Sequence, residues 1–207
     1  MPDDNPLAPM LEEYVGLNGR SNDVTVREET ARKILPNDPL QAAMADLFGY
    51  VINGKLKVKN TCALQAMSAM VRYYGLDDVE LTRPYLGRNT AVSDVLAVGK
   101  RRGVLDKGPK GVGPDSLPEP GDFIWSGDSP VEHISCVAGY EDGTGDFLTV
   151  DGGQGQGSQS MLIRRKVVVH LNTLYLVKDP AWLIVGKSNV PNGKPIRAIL
   201  RMKNLHV

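Results

Sequence analysis

A change of texture near residue 104 constrains this 207-residue chain more than any other feature. Upstream of it, apolar residues recur at helical spacing. Downstream, short β-branched and aromatic runs follow one another between turn residues. The helical segments are "REETARKIL", "DPLQAAMADLFGYV", "NTCALQAMSAMVRYYGL" and "AVSDVLAVGKRRG". Asp38 is an N-cap candidate with Pro39 at the first helical position, and Gly103 closes the last helix. "DKGPKGVGPDSLPEPG" reads as an irregular loop that can line a cleft. The strands are "DFIW", "HISCVAGY", "DFLTV", "MLIRRKVVV", "TLYLV", "AWLIV" and "IRAILRM", with "EDGTGD" and "VPNGKP" as turns. The expected fold class is α+β, with N-terminal helices packed on one face of an antiparallel sheet. Residues 1–22 show little periodicity and are expected to be a loosely ordered lead-in; residues 23–207 form a single domain.

Composition narrows the partners. Lys plus Arg (24) balance Asp plus Glu (24), so nothing favours nucleic acid or an anionic membrane surface. There is no apolar run of about 18 residues, so no membrane span is expected. The opening "MPDDNPLAPMLEEY" lacks a basic and an apolar region of the Sec type, so the chain is expected to stay in the cytoplasm unless an apparatus exports it. Two cysteines are too few for a disulfide framework or a structural zinc site, and no ligand cluster suggests a metal or other cofactor. "DGGQGQGS" lacks the spacing and the lysine of a phosphate-binding loop.

Cys62 opens one helix, with Asn60 or Thr61 as cap. Unpaired N–H groups and the positive end of the helix dipole converge there, which favours a thiolate and suits a developing oxyanion. Ala63, Ala66 and Ala69 form a small-residue stripe that lets this helix approach a sheet. The competing reading makes Cys62 a small buried residue. "HISCVAGY" and "DFLTVDGG" flank "EDGTGD" and pair as a hairpin, which brings His133 beside Asp151–Gln154. Asp151 is the natural orienter of the imidazole, and Gln154 is the competing third member. Cys136 alternates to the opposite face from His133 and reads as core. His170 and His206 carry no assigned role.

The order of these segments, a cysteine at a helix start and then "PGD", an apolar strand and a histidine opening the next strand, resembles the NlpC/P60 and CHAP group of papain-like cysteine peptidases and amidases. The resemblance covers roughly residues 58 to 155. It implies a papain-like, NlpC/P60-like fold with catalytic Cys62, His133 and Asp151. The oxyanion would meet the Cys62 N–H and the Asn60 side chain, with Gln154 also in the substrate-binding set. The implied substrate is an amide in the peptide stems of peptidoglycan. Such an enzyme reaches the periplasm or wall of a target cell through a secretion apparatus or a holin, and a producing cell needs an immunity protein as partner. The alternatives are an intracellular effector deamidase or protease, and a non-catalytic domain in which Cys62 and His133 are core residues.

Overall fold

The computed structural model describes residues 5–17, 51–52, 55–56, 61–76, 92–107, 112–128, 132–140, 146–154, 159–186 and 188–205. The α-helices are Ala8–Leu17 (α1), Thr61–Tyr74 (α2) and Val92–Arg101 (α3). Val51–Ile52 (β1) and Lys55–Leu56 (β2) pair by themselves, and Leu105–Asp106 (β3) joins the main sheet. That sheet continues through Phe123–Ser126 (β4), His133–Tyr140 (β5), Phe147–Gln154 (β6), Gln159–His170 (β7), Thr173–Val185 (β8) and Ser188–Leu200 (β9).

From β4 to β9 each strand pairs antiparallel with the next. β9 is long enough to join both ends of the meander: Ser188–Pro195 pairs with β8, Ile196–Leu200 pairs with β4, and its last two residues also pair with β3. The meander therefore closes on itself, which leaves no open edge between first and last strand. Side chains alternate between the two faces of this ring. Ile134, Cys136, Ala138, Leu148 and Val150 face outward and pack under Ala63, Ala66, Met67 and Met70 of α2. Ile124, Val137, Phe147, Leu176, Ile196 and Ile199 face inward, joined by Val112 from the loop before β4.

This architecture corrects the expected fold class. The described residues are mostly antiparallel strand, an all-β-like arrangement, and not an α+β papain-like domain built on N-terminal helices. The helices expected from "REETARKIL" and "DPLQAAMADLFGYV" lie outside the described residues. Strand content was underestimated because "TLYLV" and "AWLIV" belong to one strand, as do "VPNGKP" and "IRAILRM". A register shift between Val177 and Trp182 absorbs the prolines and polar residues that read as turns.

The start of the chain adds a helix to this architecture. Residues 8–17 are helical, and Leu7 and Met10 are fully buried in the outer core. Asn5 anchors this helix: its Oδ1 accepts from the Leu7 N–H at 3.0 Å, and its Nδ2 donates to the Ala138 carbonyl of β5 at 2.8 Å. Gly139 permits the approach, since a Cβ there would lie 2.9 Å from Leu11 Cδ2. A short apolar set, Leu7, Met10 and Leu11, was too small to register as periodicity.

Candidate active site

Cys62 is the second residue of α2 and is partly buried. The buried alanines behind it, Ala63, Ala66 and Ala69, bring the helix close to β5, β6 and β7. Two backbone N–H groups reach the sulfur, those of Ala63 and Ile134. Ile134 follows His133, so the first turn of the helix and the start of β5 meet at the thiol.

His133 opens β5 opposite Ser126. The β5–β6 register sets Ser135 opposite Asp151, and His133 lies two residues along the same face. The ring Nε2 is 2.7 Å from Asp151 Oδ1, while the thiol of Cys62 hydrogen-bonds the same ring. With Nε2 held by the carboxylate, Nδ1 is the nitrogen left for the sulfur. Asp151 is fully buried on the inner face of the ring. Its Oδ1 also accepts from Ser135 Oγ, and its Oδ2 accepts from Thr149 Oγ1 at 2.5 Å. Arg165 places Nη2 3.6 Å from Oδ1.

These contacts decide the charges. Burial alone would raise the pKa of Asp151. The Arg165 charge, the hydrogen bond and charge of His133, and the Ser135 hydrogen bond overcome it and hold the carboxyl well below the usual carboxylate range. Burial disfavours a charged His133, yet its bonds to Asp151 and Cys62 and their negative charge raise it to about 9. Burial opposes a Cys62 thiolate as well, and the hydrogen bond and charge of His133 with the two N–H groups bring the thiol below its ordinary value. Cys136 behaves in the opposite way. It is buried against the helices, and desolvation with nearby negative charge raises its pKa well above the usual thiol value.

Cys62, His133 and Asp151, the three residues proposed from sequence, are thus brought together. Asn60 lies outside the described residues. Gln154 ends β6 opposite Gln159, and the carboxylate that meets the imidazole is that of Asp151. His170 stacks edge-on against Tyr175 and Trp182, away from this set, and His206 lies outside the described residues. Sequence reasoning missed Ser135, Thr149 and Arg165. Thr149 and Ser135 follow from the two-residue alternation around Asp151 once the register is known. Arg165 depends on the β6–β7 register, which short motifs do not carry. A separate cleft is lined by Asp106, Glu119, Arg201 and Lys203. Its cations are paired, Arg201 with Asp106 and with the buried Asp122 behind the cleft, and Lys203 with Glu119.

Fold and site together define a class: a closed antiparallel meander carrying a thiol beside an imidazole that is itself held by a buried carboxylate. No protein-family model matches the chain, and comparison with curated proteins and with solved structures gave no match. No helix among the described residues is long and apolar enough to cross a membrane.

Proposed function

We propose that the chain is a cysteine hydrolase that cleaves amide bonds, with the peptide stems of peptidoglycan as substrate. The observation that carries the chemistry is the continuous contact from the Cys62 thiol through the His133 ring to the buried Asp151 carboxylate. In this reading the thiolate attacks the carbonyl carbon and the oxyanion forms beside the N–H groups at the start of α2. His133 gives its proton to the departing amine as the C–N bond breaks, leaving a thioester on Cys62. Water then loses a proton to His133, attacks the thioester and releases the carboxylic acid, and the thiolate and imidazolium are restored. Asp151 keeps the imidazole oriented and favours its charged form. The choice of substrate rests on the short motifs of residues 58–155 that resemble NlpC/P60 and CHAP enzymes.

The test is digestion of purified peptidoglycan by the wild-type chain and by Cys62→Ala. New amino and carboxyl ends without new reducing sugar ends, produced only by the wild type, are expected. Intact wall fragments from an active preparation that cleaves other amides would overturn the wall substrate and leave an intracellular protein target.

A further inference from the structure

Arg165 is buried for a reason that hydrogen bonding does not supply. It stands opposite Phe147, well along β6 from Asp151, and its side chain runs inside the ring to bring Nη2 to 3.6 Å from Asp151 Oδ1. That is beyond hydrogen-bond length, the buried Nε has no partner, and the side chain is only 14% exposed. Burying a guanidinium on these terms is costly. What the position supplies is a charge that no ordinary pH removes, set against a carboxylate with no exposure to water. In the hydrolase reading such a charge is needed at one moment. At rest the imidazolium of His133 balances Asp151 at 2.7 Å. Once His133 has passed its proton to the leaving amine, and until a water returns one, the imidazole is neutral and the sulfur is uncharged in the thioester. Ser135 and Thr149 still donate to Asp151, but hydroxyls bring no net charge. The titratable and charged groups around the carboxylate are Cys62 on α2, His133 and Cys136 on β5, Arg165 on β7 and Lys194 on β9. Lys194 is exposed, so water screens its ammonium, whereas Arg165 is enclosed with the carboxylate.

We propose that Arg165 is a positioning residue of the reaction: its fixed charge is the standing counter-ion of Asp151, which keeps the carboxylate ionised and accepting from the Nε2–H while His133 is neutral. Nδ1 then stays bare on the side of the thioester and takes the proton that the attacking water gives up. Without Arg165 the unbalanced carboxylate would hold a second proton on the imidazole more strongly, and the base that deacylation needs would form only at higher pH. The inference rests on the hydrolase reading and assigns Arg165 to the second half of that reaction.

The Cys62→Ala chain reproduces the stage at which the sulfur carries no charge. Nitrogen NMR shifts of the His133 ring, followed against pH in that background, give the midpoint at which the ring loses its proton. Arg165→Gln is expected to raise this midpoint by about one pH unit, the scale of one charge a few ångströms away in a partly screened site, and Arg165→Lys should hold it near the parent value. A structural role alone gives the opposite sign, because a ring that slips off Asp151 falls toward the free imidazole value of about 6.5. A midpoint that stays or falls in Arg165→Gln therefore overturns the proposal. Should Arg165→Gln fail to fold, the Asp151→Asn, Arg165→Gln double variant decides. With both buried charges gone it should regain most of the lost stability, and a double variant no more stable than Arg165→Gln overturns the counter-ion role. Slow iodoacetamide labelling of Cys62 in the wild type at pH 7 would sink the hydrolase reading itself. Fast labelling there, with an unmoved ring in Arg165→Gln, would sink the role of Arg165 alone.

Discussion

Replacing Asp151 by Asn keeps the shape of its side chain and removes the charge that His133 and Arg165 face. Imidazolium and thiolate both lose support, so turnover should drop roughly a hundred- to ten-thousand-fold yet stay measurable, whereas Cys62→Ala and His133→Ala should remove essentially all of it. Steady-state kinetics of the three variants check this ranking, and an Asp151→Asn enzyme with wild-type rates would remove the carboxylate from the mechanism. The pH dependence follows from the same contacts. Turnover should rise as Cys62 ionises and fall as the pH passes about 9, where His133 loses the proton needed by the leaving amine. Alkylation of Cys62 should show the rise without the fall, because it needs only the thiolate. Stability has its own sign: the carboxyl of Asp151 is depressed, so its contribution is present above the unfolded value of about 3.9 and is lost as the pH falls below it. At this scale Cys62, His133 and Asp151 were legible because a helix start and one hairpin place them. The partners of Asp151 were not, since Arg165 arrives from a third strand.

Among the elements, the β8–β9 pair shows how a strand can be disguised. Gly193 lies against Val177 and Leu176 so closely that an added Cβ would be 2.1 Å from the Leu176 carbonyl oxygen, a backbone atom that cannot rotate away. Gly193→Ala should therefore force the two strands apart and cost about 1 to 3 kcal/mol or more, the scale of overpacking. Gly113→Ala, with no atom within 4 Å of the new Cβ, should melt close to wild type. Equal melting temperatures for the two variants would show that the pair is looser than described. Glycine and proline in "VPNGKP" gave the turn signal, yet the residues extend as a strand with the tight glycine and the neighbouring bulge accommodating them. α2 and α3 were legible from their spacing, and so was the antiparallel order of the later strands. Strand length was not, because local punctuation says nothing about pairing across a bulge.

For the molecule as a whole, closure of the meander is the feature least visible in sequence. An open and a closed meander share every consecutive pairing and differ only in the second partner of β9. The N-terminal segment belongs to the same whole, through Asn5 on β5 and the buried Leu7 and Met10. Deleting residues 1–17 should remove about 3 to 6 kcal/mol of apolar burial and lower the melting temperature sharply, while a free lead-in would be removed at no cost. β5 carries His133, so the deletion should slow Cys62 labelling as well. The central claim, that this fold arms one thiol with an imidazole, is tested most directly by mapping iodoacetamide labelling of the two cysteines in the native chain at pH 7. Cys62 should react much faster than the buried Cys136, and His133→Ala should abolish that advantage. Equal and slow labelling of both cysteines in the wild-type chain would contradict it.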